Sequence, residues 1–139
     1  MITGRIVERF RERAPEWYCA ANMAQFGATL LHPSETFVAP GFEAFRPFGE
    51  VLIGWVIGLL GVAWLVGLII NGARQRITST IRMFCGFVGA MVYGMLALGF
   101  THSFFANGIL PTAIGNNFLI SILALYSLYW IAIDKRRNG

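Results

Sequence analysis

From Val51 to Ile70 the chain carries no charged residue, and Met83 to Thr101 is equally free of charge, with Arg82 at its mouth. A third apolar run, Pro111 to Ile133, opens on a proline suited to a first helical position and stops at Asp134-Lys135-Arg136-Arg137. A helix gains about 1.5 Å per residue, so roughly 30 Å of hydrocarbon takes about 20 residues, a length that these runs meet. Pro15 to Leu31 is shorter and holds Asn22 and Gln25, but Ala20, Ala24 and Ala28 recur every fourth residue. That spacing lays a smooth stripe along one side of a helix, as expected where helices touch in lipid. The pattern predicts four spans, at about 15–32, 51–70, 83–101 and 111–133, within one domain covering 1–139. The expected fold class is all-α, an integral membrane four-helix bundle.

Ahead of the first span, Ile2, Ile6, Val7 and Phe10 fall at helical spacing, with Arg5, Arg9 and Arg13 among Glu8 and Glu12 on the remaining circumference. Residues 1–13 are thus expected to form a short amphipathic helix lying on the membrane surface, a frayed solvated start being the alternative. A cleavable signal peptide fits less well, because the n-region is long and of mixed charge and no convincing small-x-small cleavage site precedes His32-Pro33.

Composition sharpens this picture. Charged residues make up 13% of the 139 against 56% hydrophobic ones, and mean hydropathy is +0.61. A soluble domain carries about 25% charged residues, so the lipid bilayer is the expected surrounding. Of the eleven Lys and Arg residues, only Arg46 falls in the connections 32–50 and 102–110. The others precede span one, separate spans two and three, or follow span four as Lys135, Arg136 and Arg137. Basic residues resist translocation, so both termini are expected in the cytoplasm, with the chain multi-pass in a bacterial inner membrane.

Residue types that carry chemistry are sparse. Every Asp, Glu, Lys and Arg reads as lying outside a span or at its edge, which counts against a proton-coupled exporter. Asn22, Gln25, Asn116 and Asn117 are the main polar residues inside the spans, and interhelical hydrogen bonding is their expected role ahead of lining a pore. His32 and His102 end spans running the same way and could hold haem or, with Glu35, a metal; solvated interfacial histidines are the simpler reading. Cys19 is either an acylation site or a packing residue, and a disulfide with Cys85 is not expected because both map to the reducing side. The expectation is no catalytic residue, no cofactor, no metal and no nucleic-acid partner. Packing signals are stronger: Gly54 and Gly58 form one small-residue face, and Gly86, Ala90 and Gly94 another, within the chain or between copies. The external loop groups Phe37, Phe42, Phe45 and Phe48 with three prolines; it can cap the bundle, rest on lipid or present a surface to a partner.

Pro15-Glu16-Trp17, Leu31-x-Pro33-x-x-Thr36-Phe37, Ile70-Asn71-Gly72-x-Arg74 and Ile81-Arg82-Met83 together give the first two-thirds of the chain a family look. The chain resembles small polytopic inner-membrane proteins encoded by phages and prophages, some of them described as holin-like. The resemblance implies a phage origin and supplies no catalytic residue. Small size, the basic Lys135-Arg136-Arg137 tail and the lack of catalytic motifs make the expected role non-enzymatic and holin-like, with copies associating through the glycine faces and permeabilising the membrane during host-cell lysis. The alternative is a membrane interaction protein that binds a host or phage membrane protein in phage exclusion or virion assembly.

Overall fold

The computed structural model describes residues 11, 13–38, 40–43, 45–70, 75–108 and 112–138, the side chains of 75–77 and 138 excepted. The expected surface helix over 1–13, with Arg5 and Arg9, lies almost wholly outside the described residues. Four long helices form the fold: α1 (Ala14–Leu30), α2 (Glu50–Ile70), α3 (Gln75–Asn107) and α4 (Ala113–Asn138). Two single-turn 3₁₀ segments, Pro40–Phe42 and Arg46–Phe48, shape the α1–α2 connection, and no strand occurs among the described residues. By length and composition Glu50–Ile70, Thr78–Asn107 and Ala113–Arg137 can each cross a membrane.

Local chemistry sets the helix ends. Pro15 sits in the first turn of α1, where its missing N–H costs no bond, and Glu16 faces the positive end of the helix dipole. Gly49 adopts φ 80° just before α2, and Gly108 adopts φ 72° just after α3, donating its N–H to the Phe104 carbonyl at 2.7 Å. Both are left-handed positions that suit glycine. At the far end of α4 the basic Lys135, Arg136 and Arg137 lie in the last turn, where the dipole favours cations.

The helices pair as two antiparallel hairpins, α1 with α2 and α3 with α4, which make the most extensive contacts in the molecule. In the first hairpin Leu30 meets Gly54, Gly27 meets Gly58 and Ala24 meets Gly61, so α1 runs alongside α2 through its own length. In the second, Gly94 faces Ser121 and Gly86 faces Leu128. Trp64 of α2 joins the hairpins, fully buried and touching the positions of Gly86 and Gly89 on α3.

Two expectations change. α3 begins well before residue 83 and runs for 33 residues, about 50 Å at 1.5 Å per residue, so Arg82 lies inside the helix and not at its mouth. α4 likewise continues past Ile133 and takes the basic tail into its final turns. In both cases the apolar run marks what lipid must cover, whereas the helix persists wherever its charged residues find partners or water.

Candidate functional site

One end of the bundle encloses charge. Glu16, in the first turn of α1, and Arg82, seven residues into α3, are 4% and 1% exposed. Arg82 donates through Nε to Glu16 Oε1 at 2.5 Å and through Nη2 to Oε2 at 2.6 Å, a two-pronged arrangement in which each carboxylate oxygen meets one guanidinium N–H. The indole Nε1 of Trp64 donates to Glu16 Oε1 at 2.8 Å, so one carboxylate ties together α1, α2 and α3. The remaining guanidinium nitrogen, Arg82 Nη1, is buried with no hydrogen-bond partner among the described residues. The stem of Arg82 passes beside Gly67, where a methyl group would come within 3.3 Å of its Cγ.

The sequence placed every charged residue outside a span or at its edge; Glu16 and Arg82 do lie at one end of the bundle, but buried and paired among three helices. An isolated ion would be expelled from such a site, but a two-pronged ion pair with a further donor offsets much of the desolvation. Sequence reasoning treated Arg82 as a boundary because its partner lies 66 positions away. One signal was present: in an up-and-down bundle the start of α1 and the start of α3 fall at the same end, so Glu16 and Arg82 share a level.

Around the buried pair lies a second, wetter layer. Arg13 Nη2 meets Asp134 Oδ2 at 2.9 Å, linking the start of α1 to the end of α4 with both side chains partly exposed. Lys135 Nζ reaches Thr80 Oγ1 at 3.3 Å, linking α4 to α3. A cleft of about 250 Å³ opens between α1 and α4, lined by Arg13, Pro15, Glu16, Tyr126, Ser127 and Trp130. Arg136 and Arg137 are exposed beyond it.

The opposite end is closed by aromatic rings. Phe42 stacks on Phe37 with centroids 5.3 Å apart and meets Phe100 of α3 edge-on at the same distance, while Phe26 and Tyr93 extend the cluster. Arg46 Nε donates to the Phe37 carbonyl at 2.8 Å, and the Glu50 carboxylate accepts the Phe37 N–H, fastening the loop to the start of α2. Phe37, Phe42 and Phe45 are buried, and among the described residues of this loop Phe48 and Val38 are the large hydrophobic side chains left exposed. The loop caps the bundle and does not merely rest on lipid.

The remaining residues singled out from the sequence are placed as follows. Gly54 and Gly58 face α1, with the backbones of Gly27 and Gly58 in close approach. Gly86, Ala90 and Gly94 face the interior, and the Ala90 carbonyl accepts the Ser121 hydroxyl at 2.9 Å. The Asn22 carbonyl oxygen accepts the Tyr93 hydroxyl at 2.6 Å across α1 and α3. Gln25 and Asn117 bond, among the described residues, within their own helices, to Thr29 and the Ala113 carbonyl, and Asn116 is exposed. Cys19 and Cys85 are each 1% exposed, which makes Cys19 a packing residue against α4, its Sγ 3.9 Å from the Ile120 carbonyl. His32 and His102 are both exposed, and His32 Nδ1 lies 2.5 Å from Ser34 Oγ. Among the described residues no three His, Cys, Asp or Glu side chains converge as a metal would require.

One outward face differs from the rest. α2 exposes Val51, Leu52, Trp55, Leu59, Val62 and Val66, and α4 exposes mostly Leu, Ile and aromatic residues. α1 instead shows Ala14, Tyr18, Ala21, Gln25, Ala28 and Thr29, small or polar side chains at helical spacing. Beside it runs a shallow groove floored by Ala24, Ala28, Gly54 and Gly58 and walled by the larger Leu31, Trp55, Leu59 and Val62. The chain matches no family model, no curated protein and no solved structure.

Proposed function

We propose that this chain is a non-enzymatic, holin-like protein of a bacteriophage, multi-pass in the host inner membrane with both termini cytoplasmic. Copies associate laterally and permeabilise the membrane during host-cell lysis, and α1 is the helix they turn toward one another. The observation that carries this reading is the outward face of α1. Tyr18, Gln25 and Thr29 gain nothing from hydrocarbon, whereas Ala14, Ala21 and Ala28 allow close helix approach. Gln25 donates to Thr29 Oγ1 at 2.9 Å along its own helix, and an adjacent copy or water in a lesion would complete its amide. The Gly86, Ala90 and Gly94 face is occupied inside the bundle, so it is not the surface assigned to association. The partner-binding alternative drew on the aromatic outer loop, and burial of Phe37, Phe42 and Phe45 removes most of that surface.

The test is induction of the gene alone in a bacterium while culture density and membrane potential are followed. Wild type is expected to arrest growth abruptly with loss of potential. Gln25→Leu combined with Thr29→Val, which makes the face lipid-like, is expected to reach the membrane at the same level and delay or abolish the arrest. Healthy cells with wild-type protein abundant in the membrane fraction would overturn the reading.

A further inference from the structure

We infer that the cleft between the start of α1 and the end of α4 is a binding site for the headgroup of one anionic phospholipid. Its two sides differ in character. Tyr126 and Trp130 form an aromatic wall, their rings 6.1 Å apart and edge-on, both about half exposed. Tyr129, also exposed, packs edge-on against Trp130 at 5.7 Å, giving this end of α4 a three-ring girdle. Trp and Tyr gather at the level of lipid headgroups, where one side of the ring is apolar and the other wet. Arg13 brings a cation to the other side of the cleft.

The charge balance favours an anion. One carboxylate, Glu16, lines the cleft, and Arg82 already neutralises it with two hydrogen bonds. Asp134 is likewise paired with Arg13. Lys135, Arg136 and Arg137 follow directly on the same helix, exposed and without an acidic partner among the described residues, so this rim is positive. A positive rim at the membrane surface draws anionic lipid by about 1 kcal/mol for each basic residue, or roughly fivefold in occupancy.

Size and position select a lipid over a free anion. At about 250 Å³ the cleft falls below the roughly 300 Å³ at which pockets begin to enclose a drug-sized ligand. A phosphodiester with its glycerol fits such a space, and the acyl chains continue outward along Tyr126 and Trp130 into the bilayer. Free inorganic phosphate would leave the aromatic wall unused.

The experiment places the full-length protein in nanodiscs of equal phosphatidylglycerol and phosphatidylcholine and counts the lipids retained by native mass spectrometry. One phosphatidylglycerol is expected to remain bound, favoured at least fivefold over phosphatidylcholine. The double variant Arg13→Gln with Asp134→Asn leaves net charge unchanged but takes the guanidinium out of the cleft, and is expected to lose the single retained phosphatidylglycerol while the general attraction of the untouched basic tail persists. Trp130→Leu, at a half-exposed position, is expected to lower retention of the same lipid. No preference in wild type, or a preference that both variants keep in full, would overturn the assignment by showing attraction to the basic tail alone. A thermal stabilisation by inorganic phosphate equal to that by phosphatidylglycerol would overturn the lipid as occupant.

Discussion

The two ends of this bundle are closed by opposite means. At one end a single carboxylate, Glu16, accepts from Arg82 and Trp64 and so fixes three helices through directional bonds. At the other, Phe26, Phe37, Phe42, Phe45, Tyr93 and Phe100 fill the space with rings whose contacts are individually weak. Buried ion pairs fail abruptly when one partner is lost, because the survivor is a charge without compensation. Ring clusters fail by degrees, in proportion to the atoms removed. The contrast implies that the charged end carries specificity of helix arrangement and the aromatic end carries bulk cohesion.

The largest effect is expected at Glu16. Glu16→Gln keeps size and an acceptor for Trp64 but strands the Arg82 guanidinium, a loss of about 4 kcal/mol. Unfolding in mixed micelles measures it. Adding Arg82→Met to Glu16→Gln is expected to recover most of the stability, since an apolar replacement of a buried pair is close to neutral. If the double variant is as unstable as the single one, the cluster contributes through packing and the contrast between the two ends collapses.

A smaller and graded loss is expected at Phe42, which touches Phe26, Phe37 and Phe100. Phe42→Ala is expected to cost about 3 kcal/mol and Phe42→Leu about 1 kcal/mol in the same assay, because the cost follows the volume lost and the collapse that remains possible. Equal losses for Ala and Leu would mean that ring geometry, not volume, holds the cap.

The difference between the ends also explains what could be read in advance. The spans were legible because lipid imposes one requirement over about 20 consecutive residues, and Val51 to Ile70 satisfies it without exception. Arg82 was misplaced because a charge at the margin of an apolar run looks like a boundary until its distant partner is known. Glycine spacing pointed to Gly54 and Gly58, and Gly58 does lie at a close backbone approach, but its partner Gly27 and the second approach, of Gly61 to Ala24, were not read. A methyl group at Gly27 would collide with Gly58 Cα and one at Gly61 with the Ala24 backbone, whereas one at Gly58 would sit 3.6 Å from Gly27 Cα. A four-residue repeat marks a face of a helix but not the depth at which two crossing axes meet. In the loop between α1 and α2 no period exists, so the inward turn of Phe37, Phe42 and Phe45 depends on the Arg46 and Glu50 bonds to Phe37 and Val38.

The smallest effect is expected in the outer layer of the charged end, where the comparison is drawn between two ion pairs and not between charge and rings. Arg13 and Asp134 bond at 2.9 Å with side chains 22% and 32% exposed, against 1% and 5% for Arg82 and Glu16. Water and salt screen the first pair, so replacing it by Gln and Asn is expected to cost only about 0.2–1 kcal/mol, and less as ionic strength rises. The buried pair is shielded from the same ions, so the penalty of Glu16→Gln is expected to stay constant between low and high salt. Measuring both variants at two salt concentrations separates the layers. A salt-dependent loss at Glu16 would show that water reaches the Arg82 guanidinium, and the charged end would then be a hydrated vestibule whose closure rests on α4 alone.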